Sequence, residues 1–354
     1  MSGNSKAIVA EDIARILEQP LPWEQLNGAT VLVSGAGGFL PAYMVETLAA
    51  LNAQRKAGIR IVGLVRNPEK ARQRLGHLQD VELLAQDIAA PLRPDLPKAD
   101  FIVHAASQAS PRFYGADPVG TLDANATGTR QLLQHAKDSD CKSFLFFSSG
   151  EVYGVPVDDS RRLTETDYGY LDPATVRACY AESKRLGETL CVAWHHQHGV
   201  PARIVRPFHT YGPGMALDDG RVFADFVGDI LARRNIVLKS DGLAMRPFCY
   251  LGDATAGFFT ALLNGVPGLA YNVGNPEAEI SMRGLAELLV GLYPELGLQV
   301  EFSTREPADA AGYLRSKVGR SVPNTARIEA LGWRATTPLA EGFARTVTAM
   351  GGLG

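Results

Sequence analysis

Thr30-Val31-Leu32-Val33-Ser34-Gly35-Ala36-Gly37-Gly38-Phe39-Leu40-Pro41 is the stretch whose reading decides the fold. A short apolar run enters a glycine-rich turn, and Tyr43, Val45, Leu48 and Leu51 then recur at helical spacing. A strand, a glycine turn and a helix in that order point helix N-terminal N–H groups at an anion. The glycines remove side chains that would block its approach. Gly35 and Gly38 fill the first two positions of a GxxGxxG pattern, and Pro41 stands at the third. Proline costs little in a first helical turn, where its N–H has no partner anyway, but it is bulkier than glycine where helix and strand pack. Alone, the loop is a weak signal for a dinucleotide pyrophosphate, and a turn with no ligand is the lesser alternative.

The pattern repeats outward. Ile59–Val65, Val81–Gln86, Phe101–His104 and Ser143–Ser148 read as further buried strands, with helices between them. Such alternation implies an α/β fold with a parallel sheet, covered on both faces and joined by right-handed crossovers. After Gly154 the rhythm changes: a long helix over 176–198, a strand at Ala202–Arg206, and a Gly/Pro-rich passage from Pro207 to Gly220. Beyond it, helices are expected over 221–234, 253–264 and 281–292, with a strand at Ala270–Val273. We expect an N-terminal extension at 1–27 and a dinucleotide-binding domain at 28–206, with segments returning near 245–275. A smaller mixed α/β substrate lobe then takes up much of 207–354.

The chain has 354 residues, 46% hydrophobic and 21% charged, within the ordinary globular range. A net charge of −3 gives no support for nucleic-acid binding or a cationic membrane surface. No apolar run nears the roughly 18–20 residues of a membrane span. Cys141, Cys179, Cys191 and Cys249 have neither metal-ligand nor disulfide-framework spacing, so reduced thiols in a cytoplasmic protein are expected. His195-His196-Gln197-His198 reads as a polar helix end, and no metal site is expected.

Strand ends supply the next candidates. Arg66, where an acidic residue would hold the ribose hydroxyls of NAD, can pair with a 2′-phosphate and favours NADP(H) within a general NAD(P) reading. A solvated arginine is the alternative. Asp87, followed by Ile88, could accept the adenine amino group. His104-Ala105-Ala106 places small residues beside the expected cofactor.

Tyr180-Ala-Glu-Ser-Lys184 sets a phenol and an ammonium four residues apart on one helix face. A free tyrosine titrates near 10 and is a poor base at neutral pH. A lysine and a cationic nicotinamide nearby stabilise the phenolate. Ser149, at the end of the preceding apolar run, can hydrogen-bond the substrate oxygen that exchanges the proton.

Taken together, Ser34–Leu40, His104–Ala106, Asn125-x-x-Gly128-Thr129, Ser148–Gly154, Tyr180–Lys184 and Arg206–Pro213 resemble the extended short-chain dehydrogenase/reductase family of nucleotide-sugar epimerases, dehydratases and decarboxylases. The resemblance spans roughly residues 28–348. It implies a Rossmann-type doubly wound sheet, a C-terminal nucleotide-sugar lobe, and a homodimer through helices near 117–137 and 178–197. It adds Phe39, Leu40, Asn125 and Pro207 to the cofactor contacts. Gln108, Ser110, Tyr114, His209, Arg221 and Arg246 become candidate sugar or diphosphate contacts. Val176–Lys184, Met215–Val222 and Arg246–Tyr250 are most similar to the branch that decarboxylates UDP-glucuronate.

The implied chemistry is oxidation at the sugar C4. A C4 ketone readies a C5 carboxylate to leave as CO₂, or acidifies the C5 proton so that a C6 hydroxyl can leave. Glu151 matches the glutamate of decarboxylases and 4,6-dehydratases, as a general base. Gly150 departs from the pattern, since dehydratases of the dTDP-glucose type carry an aspartate there and decarboxylases a serine. His209 stands in place of asparagine and Gly214 in place of arginine. Arg112, Arg177 and Arg185 remain candidates to bind a substrate carboxylate. Decarboxylation of a UDP-uronic acid or 4,6-dehydration leads. An NADPH-dependent 4-keto-sugar reductase, a 4-epimerase and a catalytically silent NAD(P)-binding protein stay open.

Overall fold

The computed structural model describes residues 3–110, 115–218, 220–303 and 318–351. Its frame is a seven-stranded sheet of β1 (Thr30–Ser34), β2 (Arg60–Val65), β3 (Val81–Ala85), β4 (Phe101–His104), β5 (Ser143–Phe147), β6 (Ala202–Pro207) and a late strand, β11 (Ala270–Val273). The order is β11-β6-β5-β4-β1-β2-β3, and every pairing is parallel. The chain winds outward from β1 in both directions, so a crevice opens between the carboxyl ends of β1 and β4. In such sheets the ligand sits there.

Residue alternation sorts the core into two layers. Val31 and Val33 of β1 pack toward α1 (Gly3–Leu17), α2 (Phe39–Arg55), α3 (Pro68–Leu75) and α7 (Leu251–Asn264). Leu32 between them joins Phe144, Phe146 and Ile204 under α4 (Pro118–Asp138) and α5 (Ala178–His198). The period-two pattern thus places both layers.

The C-terminal lobe has its own core. Phe223, Phe226, Val227 and Ile230 of α6 (Val222–Leu231) meet Leu285 and Leu289 of α8 (Met282–Gly291), and Phe343 and Val347 of α10 (Leu339–Ala349). Three two-stranded pairs edge the lobe. β7 (Thr210–Tyr211) pairs with β10 (Cys249–Tyr250), β8 (Ile236–Leu238) with β13 (Val300–Phe302), and β9 (Met245–Pro247) with β12 (Glu279–Ser281).

The N-terminal residues are built into this frame. Val9, Ile13, Ile16 and Leu17 of α1 are buried in the larger core layer. Asp12 accepts hydrogen bonds from Tyr43 of α2 at 3.1 Å and Tyr250 at 2.7 Å, and pairs with Arg345 of α10 at 2.7 Å. Burial pushes the Asp12 carboxyl up, against the opposing pull of Tyr250 and Arg345. One buried carboxylate therefore ties the extension to both lobes. No described helix is long and apolar enough to cross a membrane.

Candidate active site

β1 delivers the chain into Gly35 at φ +72°, a conformation that favours glycine. A Cβ on Gly35 would lie 2.8 Å from the Ala106 Cα, so this turn and the end of β4 touch through backbone alone. Gly38 caps α2, and Pro41 lies buried in its first turn. The first-turn N–H groups of Phe39 and Leu40 are those a helix leaves unpaired, and both residues are only half-buried.

His104 braces the turn from below. Thr129 donates to the Asn125 carbonyl, so its hydroxyl oxygen accepts from His104 Nε2 at 3.0 Å. His104 Nδ1 then accepts from Ser34 Oγ at 2.8 Å, and Ser34 Oγ accepts from the Ala106 N–H at 3.2 Å. This relay fixes a neutral imidazole. Burial, with the Lys184 charge adding to it, pushes that ring down to about 3. Both ring nitrogens of His104 are thus spent inside the protein, and only the small residues Ala105 and Ala106 border the crevice.

The other cofactor candidates divide between surface and interior. Arg66 is exposed at the end of β2, and its charge reaches Asp117, the N-cap of α4. Asp87 is exposed and accepts from the Ala89 N–H at 3.0 Å, while Ile88 is buried. Asn125 donates through Nδ2 to Ser183 Oγ at 3.0 Å, and Ser183 in turn donates to the Tyr180 carbonyl. Asn125 Oδ1 and Ser107 Oγ are sealed from solvent without a hydrogen-bond partner among the described residues. Pro207 closes β6, half-buried. A glycine cradle, a helix N-terminus and two buried polar atoms awaiting partners fit a dinucleotide.

The reactive groups meet where β5 ends. Ser149 caps a single 3₁₀ turn over Gly150–Tyr153, accepting the Glu151 N–H at 3.2 Å. Its hydroxyl also hydrogen-bonds the phenol of Tyr180, in the first turn of α5. Burial pushes that phenol up to about 12, the Ser149 bond opposes the rise, the Glu151 charge adds to it and the Arg221 charge opposes it. Lys184 is buried one turn on, donating to the Phe147 carbonyl at 2.7 Å, with Nζ 5.7 Å from the Tyr180 ring centroid. Burial pushes the Lys184 ammonium down to about 7, against the pull of Glu188.

Glu151 turns to Arg177, which pairs with its Oε2 at 3.0 Å. A Cβ on Gly150 would come within 3.1 Å of the Phe208 ring, so Phe208 occupies the room a side chain would need. Under this layer, Arg206 grips Glu188 with two arms, and Glu188 also accepts from Ser148. Arg206 further donates to the Tyr153 hydroxyl at 3.0 Å and the Glu165 carbonyl at 2.9 Å.

The substrate candidates separate likewise. Gln108 is buried and donates to Asp117 Oδ2 at 2.7 Å, so it serves the cap of α4. Ser110 is half-buried at the end of the described loop. Tyr114 and Arg112 lie outside the described residues. His209, at φ +21°, has its Nδ1 sealed without a partner among the described residues, and burial with Arg246 and Arg221 nearby pushes the ring down to about 3. The Arg221 guanidinium stacks over Phe39 and Phe223, and its charge reaches both Tyr180 and His209. Arg246 donates to the carbonyls of Met245, Val318 and Gly319. Arg185 donates to the Val152 and Gly169 carbonyls, which makes it a brace. Arg74 of α3 donates to the Gly214 carbonyl, bringing a guanidinium to the place where the loop itself has none. Among the described residues, no group of three metal-ligating side chains comes together.

The model of the NAD dependent epimerase/dehydratase family matches residues 31–274, from β1 through β11. The chain belongs to the NAD dependent epimerase/dehydratase family. As a member, it is an NAD(P)-dependent enzyme. It is 33% identical to UDP-glucuronic acid decarboxylase 3 of Arabidopsis thaliana over 314 residues, 88% of this chain and 86% of that one. To UDP-glucuronic acid decarboxylase 1 of Xenopus tropicalis it is 32% identical, over 90% of this chain and 71% of that one. Among solved structures it is similar to the dTDP-glucose 4,6-dehydratase DesIV of Streptomyces venezuelae, crystallised with NAD and TYD. There the TM-score is 0.75 and the identity 27%, over 90% of this chain and 96% of that one. The Rossmann-type sheet expected from the sequence is the one present.

Proposed function

We propose that this enzyme takes a nucleoside diphosphate sugar, oxidises its C4 and decarboxylates a UDP-uronic acid through the 4-keto sugar. The observation that carries the reading is Ser149, which joins the Tyr180 phenol while Glu151 projects from the same 3₁₀ turn. The identity to UDP-glucuronic acid decarboxylases over most of both chains supports the choice of sugar.

Tyr180 Oη takes the proton from the sugar O4, and Ser149 Oγ orients that oxygen. The Gly35–Gly38 turn and the N-terminus of α2 would hold NAD(P)⁺, which would supply hydride acceptance at C4 and its reversal after loss of the carboxylate. The buried Tyr180 phenol needs positive charge to ionise at neutral pH, and Arg221 already acts in that direction. Arg221 is also the cation best placed to meet the diphosphate or carboxylate of the substrate, because its charge reaches the phenol and His209 together. Electrons released at C5 by departing CO₂ pass into the C4 carbonyl, and Tyr180 returns a proton to that oxygen. Glu151 governs the proton at C5.

Dehydration needs an acid for the leaving hydroxyl, and Gly150 backed by Phe208 supplies none. Arg66 favours NADP(H): its guanidinium is exposed at the end of β2, where it could pair with a 2′-phosphate, and its charge reaches Asp117. We further propose a homodimer through α4 and α5, where Val119, Leu122, Leu186 and Val192 are exposed.

The deciding experiment incubates the protein with a panel of UDP-, dTDP- and GDP-sugars and assays CO₂, 4-keto sugar and cofactor. Release of CO₂ from UDP-glucuronate without net NAD(P)H change supports the proposal. Stoichiometric NADPH consumption with a 4-keto sugar would establish a reductase instead.

A further inference from the structure

Two rungs connect the 3₁₀ turn to the start of α5. Ser149 meets Tyr180, and two residues further along the turn Glu151 meets Arg177 at 3.0 Å. Arg177 is the N-cap of α5, so its Cα is fixed by the helix start while its guanidinium reaches across to the 3₁₀ turn. Both partners of the second rung are half-buried, at 23% and 36% side-chain exposure, which places the pair at the mouth of the site. Among the described residues, Glu151 faces Arg177 at the start of α5 and the ionisable Tyr180 phenol in its first turn, and the Arg221 charge reaches that phenol from the C-terminal lobe. Glu151 and an ionised Tyr180 repel each other, so a carboxylate left free to swing toward the phenol would oppose the proton transfer there.

We propose that Arg177 is the positioning residue for Glu151, holding its carboxylate away from Tyr180 so that it acts on the keto sugar rather than on the first proton transfer. The inference rests on the proposed 4-keto chemistry, and it assigns Arg177 to the enzyme's own glutamate rather than to the substrate carboxylate. A guanidinium is suited to this because it is always charged and its planar fork fixes a carboxylate in direction as well as distance. A residue acting through Glu151 matters mainly after the ketone has formed.

The test uses single turnovers of the cofactor-loaded enzyme with whichever sugar of the panel bleaches or raises absorbance at 340 nm. Arg177→Gln should leave the rise at 340 nm within about threefold of wild type and slow its decay and product release by roughly 10–100-fold, short of the ~10²–10⁴-fold loss of the acid–base group itself. Arg177→Lys should recover part of the second phase. In a Glu151→Gln background, Arg177→Gln should cost nothing further. Equal slowing of both phases, or additive losses in the double variant, would overturn the proposal. A wild-type enzyme that reduces its cofactor with none of the sugars would instead overturn the proposed function. The Arg177 inference would then be decided by unfolding midpoints, where additive shifts for Arg177→Gln and Glu151→Gln would remove the pair.

Discussion

Arg206 and Glu188 form a buried two-armed ion pair, Nε to Oε1 at 2.8 Å and Nη2 to Oε2 at 2.6 Å, one helical turn beyond Lys184. Breaking such a pair from one side leaves a charge buried without its partner. Arg206→Met should therefore destabilise the protein by about 3–5 kcal/mol. Urea unfolding of the variant against wild type measures it, and a loss below about 1 kcal/mol would place the pair among the weak surface kind.

Tyr180→Phe removes the hydroxyl that Ser149 contacts and nothing else of the helix packing. Cofactor reduction at 340 nm should fall by about 10²–10⁴-fold, the usual weight of a general acid–base group, with the unfolding midpoint little changed. An unaffected rate would remove this tyrosine from the mechanism.

His104 gives the fold an acid sensitivity. Its folded value of about 3 lies below the ordinary 6.5, so between those two pH values the unfolded chain binds a proton that the folded chain refuses. Stability consequently falls as pH drops from about 6.5 to 3. His104→Gln should flatten part of that slope, read from unfolding free energies at several pH values. His209 acts in the same direction and keeps the remainder.

Arg66→Ala should weaken NADP(H) binding by about tenfold or more relative to NAD(H), since a charge-assisted bond to phosphate contributes about 1.5–3 kcal/mol. Calorimetric titration with both cofactors measures the ratio. An unchanged ratio would leave Arg66 as a solvated strand-end residue.

Leu186 and Val192 project from α5 with 46% and 47% of their surface exposed. If α4 and α5 pair two copies, Leu186→Glu with Val192→Glu should shift the light-scattering mass to that of one chain. A wild-type mass of one chain would end the dimer proposal.

Much of this fold was legible because burial writes a plain pattern. Thr30–Ser34, Phe101–His104 and Ala270–Val273 are apolar runs bounded by turns, and all three are strands at those limits. The helix read at 176–198 begins at Ala178, after a turn in which the Ala178 and Cys179 N–H groups donate to the Thr175 and Val176 carbonyls. What the sequence could not disclose was partnership. Nothing in the local sequence around Gln108 announces its bond to Asp117, nor around His104 its bonds to Ser34 and Thr129. Gly150 reads as a lost catalytic side chain, yet its reason lies 58 positions on, at Phe208. Pairings between distant positions leave no local period to read.

Asp12 has a consequence for how the molecule comes apart. Its carboxylate is held at once by Tyr43, Tyr250 and Arg345, from the cofactor half, the segment entering α7 and the last helix. None of these can loosen without stranding a buried charge shared with the others. The first helix of the chain, which precedes the family match, thus acts as a keystone. Melting should be a single cooperative event rather than two, and slow amide exchange should extend unbroken from α2 to α10.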